Sequence, residues 1–329
     1  MTALRYVVMF PGQGSQYVGM GQEIADHSPA ADHLYEVAEK FSGMPIRSIS
    51  SEGPEDLLQE TANTQPCLLV ASIACFEALR EEFPTPPTYV LGHSAGEFAA
   101  LVAAGALSFE DAVLLIQKRG QLMGEMANGG MAALKNVTLE TAQRICKEAV
   151  VPGGALVTAN LNSPNQIVIS GDEDSIEEAV MYCLERDIEV VPLAVSGAFH
   201  SPLMQPAAEE FAENLSRATF SSTTIPVISN VTAEPTTDGD AWPELLAKQM
   251  VSPVLFEPSI RGLGEAGITT FVEVGPKNVL SRLIRRILPE AQTLHVQDLA
   301  SLHETVARLQ ALAESSKTRE EISNAISFR

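Results

Sequence analysis

Short apolar runs alternate with helical patterns along most of this chain, and that alternation restricts the fold more than any other feature. "RYVVMF", "TYVLGH", "IPVISNV", "ITTFVEVG" and "TLHVQD" read as strands; "QPCLLVASIACFEALREEF", "FEDAVLLIQKRGQLMGEM", "LMQPAAEEFAENLSRA" and "SLHETVARLQALAESS" read as helices. Strands separated by helices pair in parallel, and both faces of the resulting sheet are then covered by helices. One stretch follows a different order. After the Gly pair of "MANGGMAAL" come a strand ("MAALKN"), a helix, two strands ("ALVTANL", "QIVISG") around the turn "NSPN", a second helix and a strand ("IEVVPLAV"). This βαββαβ order is the ferredoxin-like arrangement. The expected organisation is therefore a large α/β domain over 1–128 and 198–329, with a small ferredoxin-like subdomain inserted at 129–197 and a cleft between them as the natural ligand site.

A chain of 329 residues is long enough for a sizeable core. With 21 Lys and Arg against 42 Asp and Glu, its net charge of -21 disfavours nucleic acid and anionic lipid as partners. Cys67, Cys75, Cys146 and Cys183 form no CxxC pair and lie in apolar or helical surroundings, as buried free thiols in a reducing cytoplasm do. No apolar run reaches the length of a membrane span, and "RYVVMFPG" reads as a first strand rather than a signal peptide.

The most chemically pointed stretch is "VLGHSAGEFAA", where an apolar strand meets an Ala-rich helix. Gly92-His93-Ser94-Ala95-Gly96 fits the G-x-S-x-G nucleophile elbow, whose small residues let the backbone turn tightly and present the serine at a helix N-terminus. A glycine-rich turn with a merely capping serine is the alternative. "FPGQGSQ" after the first strand lacks a full G-x-G-x-x-G and so argues weakly for nucleotide. It can instead supply the N–H of Gln13 as a second oxyanion donor beside that of Ala95. Of six histidines, His27, His33 and His303 sit on polar helical faces, His295 in a strand, and His93 beside the serine, where its side chain diverges from the hydroxyl. His200 in "SGAFHSPLM" stands where the chain re-enters the large domain across the cleft, which makes it the candidate base.

With "PGQGSQ", "GHSAGE", "KRGQLM", "GAFHSPLM" and "EVGPKNVL" in this order, the sequence from about residue 6 to 290 closely resembles the malonyl-coenzyme A:acyl carrier protein transacylases and the related acyltransferases of polyketide synthases. The resemblance implies an α/β-hydrolase-like large domain, a Ser94–His200 dyad, and a main-chain carbonyl from Gln249 in "QMVSPV" holding the second histidine nitrogen. It also implies that Arg119 grips the free carboxylate of a malonyl group, a task suited to a planar guanidinium. Phe199 would wall the acyl C2 atom against an added methyl, and His93 and Asn162 would lie along the substrate; Asn160 and Asn162 also fit as turn residues.

The activity so implied is ping-pong transfer of malonyl from malonyl-coenzyme A to the phosphopantetheine thiol of an acyl carrier protein, in fatty acid or polyketide synthesis, with neither metal nor redox cofactor. An acyl or thioester hydrolase is the nearest competing reading, and a non-catalytic carrier-protein scaffold a remote one. An acidic carrier protein would need a local cationic patch. Lys277, Arg282, Arg285 and Arg286 are the candidates, the arginines sharing a helical face, although a favourable cationic helix end explains them equally. A monomer is the expected state.

Overall fold

The computed structural model of the chain describes residues 4–126, 128–195 and 197–327, with side chains through 315. Ala127 and Ser196, at the two chain crossings that bound the expected insertion, lie outside the described residues. The strands are β1 (Val7–Phe10), β2 (Tyr89–Gly92), β3 (Gly130–Lys135), β4 (Leu156–Ser163), β5 (Gln166–Gly171), β6 (Val190–Pro192), β7 (Val227–Ile228), β8 (Pro235–Thr236), β9 (Thr270–Val274) and β10 (Gln292–Val296).

Six of them form one sheet in the order β10-β9-β1-β2-β7-β8, parallel except for the edge strand β8. Successive side chains of a strand point to opposite faces. In β1, Val8 and Phe10 accordingly join the larger core, while Val7 and Met9 join a second core with Phe256, Ile260, Leu280 and Ile284 beneath the sheet. The Thr61–Glu82 helix crosses the first face and is buried on nearly every side, as its unbroken run of apolar and small residues requires.

The other four strands form an antiparallel sheet in the order β4-β5-β3-β6, which in a βαββαβ unit is the ferredoxin-like arrangement. Ala132, Leu134, Ile167 and Ile169 face its own two helices, Leu139–Ala149 and Glu173–Leu184. Met131, Ala133, Ala159 and Val168 point the other way, into the core of the larger body. A main-chain bridge adds to that seam, with the Val254 N–H donating to Ala159 O at 2.8 Å and the Leu161 N–H to Val254 O at 2.9 Å.

Three elements differ from the sequence reading. The buried helix begins at Thr61 rather than Gln65, so Pro66 lies inside it; an early-turn Pro forfeits one bond, and packing of the whole helix outweighs that loss. The strand expected over "IEVVPLAV" stops at Pro192, tolerated because β6 is an edge strand, and Leu193–Val195 turn away into the cleft wall. The C-terminal helix runs Leu299–Ser327, with Leu302, Val306 and Leu309 buried at helical spacing against the body.

Buried Glu273 in β9 positions one further helix. Its two carboxylate oxygens accept the N–H groups of Leu280 and Ser281, at 2.9 and 2.7 Å, and so cap the cation-bearing Val279–Ile287 helix. Burial raises its pKa, and the two bonds oppose that rise. Glu273→Gln leaves only one acceptor oxygen for two donors, so the urea midpoint should fall by an amount worth about 1–3 kcal/mol. An unchanged midpoint would show that the cap does not hold the helix.

Candidate active site

Ser94 occupies the turn between β2 and the Gly96–Ala104 helix with φ of 52°, a left-handed conformation uncommon outside glycine. The turn is possible because Gly92 and Gly96 have no side chains: a Cβ on Gly92 would stand 1.9 Å from the Gly96 carbonyl carbon. Asn230, just past β7, locks it, accepting the Ser94 N–H at 2.7 Å and donating to the Gly92 carbonyl at 2.6 Å. Strain of this kind persists only where the surroundings over-determine it.

His200 reaches the serine from the loop before the Gln205–Leu215 helix, also with a left-handed φ, 59°. Its Nε2 lies 2.8 Å from Ser94 Oγ, and its Nδ1 lies 2.8 Å from the main-chain oxygen of Gln249. A carbonyl only accepts, so Nδ1 carries the proton and Nε2 offers its lone pair to the serine O–H. The His200 pKa is pushed down to about 3, first by burial and then by the positive charge of Arg119, against the raising effect of the Gln249 bond. The imidazole is neutral at physiological pH and free to accept a proton.

Arg119, on the Phe109–Glu125 helix, is fully buried. Its Nη2 donates to Ser94 Oγ at 3.1 Å and to Gln249 Oε1 at 2.7 Å, and its Nη1 donates to Gln65 Oε1 at 2.7 Å. Its Nε is buried with no hydrogen-bond partner. Burial lowers its pKa to about 10, opposed by the nearby Glu97 carboxylate, and the group stays charged. A cation is thus held against the Ser94 hydroxyl in a buried setting, where it acts more strongly on a nearby negative charge than it would in water.

A cavity of about 250 Å³ opens over these groups. Gln13, Ala95, Phe199 and Met123 line it from the large body, and Met131, Asn160 and Leu193–Val195 from the small sheet. Gln13 lines the cavity, and its side-chain Nε2 donates to Thr61 Oγ1 at 3.2 Å. Gly197 permits the fold of Phe199, whose ring would lie 2.4 Å from a Cβ there. His93 also lines the cavity and packs its half-buried ring on Phe256; its Nε2–H donates to Asn162 Oδ1 at 2.8 Å, tying the serine turn to β4. Burial lowers its pKa. Asn162 is buried and joins the site through His93, while Asn160 contributes to the cavity wall itself.

The remaining histidines stay out of the cleft. His33 pairs with Glu36 on an exposed surface, and His295 belongs to β10. His27, Glu82 and His303 converge at the surface with their ligand atoms within 4.8 Å of one another, and both imidazoles are solvated. Lys277, Arg282, Arg285 and Arg286 are exposed or half-exposed, with Lys277 Nζ 3.4 Å from the Gly14 carbonyl at the cavity rim and Arg286 donating to Gln166 of β5 at 3.0 Å. Three site residues were not singled out from sequence: Glu97, Asn230 and Gln65. A glutamate in the otherwise apolar and small "EFAALVAA" was the one available signal, because a charged residue on a buried helix needs a partner.

Fold and site define an α/β protein with a strand-turn-helix serine, a neutral histidine and a buried arginine around a cleft. The family described as "Acyl transferase domain" matches residues 7–321, and the chain belongs to it. That match takes in most of the C-terminal helix, beyond the last motif recognised in the sequence. The chain is 42% identical over 294 residues to the malonyl CoA-acyl carrier protein transacylase of Bacillus subtilis, a match covering 88% of this chain and 92% of that one. Among solved structures it is similar to the corresponding transacylase of Coxiella burnetii, with TM-score 0.90, 34% identity and coverage of 93% and 98%. It is also similar to a malonyl-transacylase solved in complex with its type II PKS acyl-carrier protein, with TM-score 0.89, 34% identity and coverage of 93% and 100%. Among the described residues no helix is long and apolar enough to cross a membrane.

The depressed His200 pKa can be read directly. In selectively labelled protein, the His200 imidazole resonances should hold their neutral positions between about pH 8 and 5. A midpoint near the ordinary histidine value would show that burial and Arg119 do not control this ring.

Proposed function

We propose that this chain transfers malonyl from malonyl-coenzyme A to the phosphopantetheine thiol of an acyl carrier protein through an ester on Ser94, for fatty acid or polyketide synthesis. The observation that carries the proposal is the pairing of a His200-bonded Ser94 with a fully buried guanidinium 3.1 Å from its hydroxyl. A hydrolytic elbow has no need of that cation, whereas an acyl group ending in a carboxylate does. Arg119 exchanges bonds to Gln65, Gln249 or Ser94 for bonds to the malonyl carboxylate, which orients the thioester carbonyl over Ser94.

In the first half-reaction Ser94 Oγ attacks the thioester carbon while His200 Nε2 takes its proton, and the N–H groups of Gln13 and Ala95 receive the oxyanion. The carbon–sulfur bond then breaks, and coenzyme A leaves with the proton from His200. The carrier-protein thiol attacks the serine ester in the reverse sense, with Gln249 O holding His200 in its working tautomer throughout. Neither half changes an oxidation state, so the chemistry calls for no redox cofactor, and no metal is assigned a role. Phe199 crowds a substituent on C2, favouring malonyl over its methylated homologue by about 1–3 kcal/mol. In this reading 1–128 and 198–329 carry the reacting groups, while the insertion at 129–197 supplies an apolar wall and the His93–Asn162 tie. One chain holds every group required, in keeping with a monomer, and four buried free thiols suit a reducing cytoplasm.

Intact-mass spectrometry after mixing with malonyl-coenzyme A should detect a malonyl adduct that is absent from Ser94→Ala, forms about a hundredfold more slowly in Arg119→Ala, and moves onto added carrier protein. Release of free malonate at the same rate with or without carrier protein would make the chain a hydrolase. For docking, Lys277, whose Nζ lies 3.4 Å from the Gly14 carbonyl at the cavity rim, and the exposed arginines of the Val279–Ile287 helix give an acidic carrier protein a local attraction on a protein of charge -21. Reversing Arg282, Arg285 and Arg286 should raise the apparent KM for carrier protein about tenfold or more, with malonyl-coenzyme A kinetics unchanged. An unchanged KM in the folded variant would remove the patch from the interface.

A further inference from the structure

Glu97 lies one helical turn past Ser94 and is fully buried. It makes no bond to His200. Its Oε1 accepts the N–H of Asn230 at 2.7 Å, and its Oε2 accepts from Nε2 of Gln249. Those two partners hold the reacting groups. Asn230 clamps the serine turn from both sides, while Gln249 donates its second amide hydrogen to the Ser94 carbonyl at 3.1 Å and accepts from Arg119 Nη2 at 2.7 Å. The main-chain carbonyl of the same Gln249 accepts from His200.

A primary amide has a donor end and an acceptor end, and a carboxylate engages only the donor end. Glu97 therefore turns the Gln249 oxygen toward Arg119. A neutral amide at position 97 would accept either orientation of Gln249, one of which sets an NH2 group against the guanidinium. Charge reinforces the geometry. The hydrogen-bond partners of Arg119 among the described residues are Gln65, Ser94 and Gln249, all neutral, and the carboxylate acting on it is that of Glu97. A buried cation with no counter-charge costs several kcal/mol, so the pair stands or falls together.

We propose that Glu97 is a positioning residue of this site, a single buried carboxylate that sets the Arg119 guanidinium through Gln249 and the Ser94 turn through Asn230. A hydrolase triad would put its acid on the histidine; here the Gln249 main-chain oxygen holds that position, and the acid acts instead on the arginine and the serine. The proposal rests on the acyl-transfer reading for what Arg119 meets, and not for what Glu97 holds.

The charge acting on Glu97 is that of Arg119 from the Phe109–Glu125 helix; the other titratable groups of the site, His200 from the loop before the Gln205–Leu215 helix and His93 from the serine turn, act on each other, and Arg119 acts on His200. Burial pushes the Glu97 carboxyl up to about 7, against the lowering effects of Asn230, Gln249 and Arg119. With the pKa raised, the ionised form that the network needs is present above that value and lost as pH falls through it. His200, held near 3, stays neutral across the same window. Loss of serine reactivity just below neutral pH therefore reports on Glu97 and not on the base.

The test uses a small uncharged fluorophosphonate, which loses fluoride as Ser94 Oγ bonds to phosphorus, with labelling followed by intact mass against pH. Wild type, Glu97→Gln and Glu97→Asp are compared, with Ser94→Ala as blank, thermal melts as a check on folding, and malonyl-coenzyme A acylation measured in parallel. Wild type should lose rate below about pH 7, Glu97→Gln should be pH-independent and about tenfold or more slower, and Glu97→Asp should recover both the pH dependence and part of the rate. Malonylation should fall further than phosphonylation in Glu97→Gln, because only malonyl needs the guanidinium. A purely structural Glu97 would lower the melting temperature and leave the rate and pH dependence per folded molecule untouched, which would overturn the proposal. So would wild-type labelling that stays constant through the pH at which the Glu97 side-chain carboxyl itself titrates, followed by 13C NMR, a comparison that holds even if Glu97→Gln does not fold. Should wild type form no malonyl adduct while phosphonylation still depends on Glu97, the acyl-transfer reading fails and the positioning role stands.

Discussion

The contact between Gly92 and Gly96 is the constraint from which the rest of the site follows. No Cβ fits at either position: one on Gly92 would lie 1.9 Å from the Gly96 carbonyl carbon, and one on Gly96 would lie 2.2 Å from the Phe10 oxygen. The Gly96–Ala104 helix can therefore start directly on the end of β2 and press against the end of β1. That junction forces Ser94 into a left-handed conformation and places its hydroxyl at the carboxyl ends of the central strands, where open α/β sheets hold their ligands. The turn after β1, with Gln13, is brought alongside for the same reason.

Around this turn the site is arranged as a buried polar network rather than a chain ending in an acid on the imidazole. His200 donates to a neutral carbonyl, and the charged residues Arg119 and Glu97 communicate through the Gln249 amide. Low dielectric makes each of these bonds stronger and each unmade bond more costly, so the groups have little freedom to rearrange singly. The Arg119 Nε is the exception, a buried donor with no hydrogen-bond partner in a residue whose other two nitrogens are both bonded.

Much of this was legible from local sequence. The five parallel strands and the βαββαβ insertion follow from hydrophobic periodicity, and the serine turn follows from glycine spacing, because each depends on residues near in the chain. Where the sequence reading fell short, a tertiary contact had the deciding role. The buried helix extends back past Pro66 because its first turn packs against Gly120, where Thr61 O would lie 3.0 Å from a Cβ. The strand at 190 ends early because Leu193–Val195 are needed in the cleft wall. Glu97 was visible as a charge on an apolar helix, but neither Asn230 nor Gln65 carries a local mark, as Asn and Gln are ordinary at strand ends and before proline.

The sequence by itself determined the class of fold, the order of its parallel strands, the glycine-flanked serine turn and the family, since all of these are written in periodicities and in motifs a few residues long. Only the tertiary structure decided the partners. Glu97 and Gln249 are 152 positions apart, Ser94 and Asn230 136, and Arg119 and Gln249 130. Hydrogen bonds across such separations exist because sheet order and helix packing close long loops. A side chain's chemistry is local, but the atom it is given to bond is fixed by the path of the whole chain.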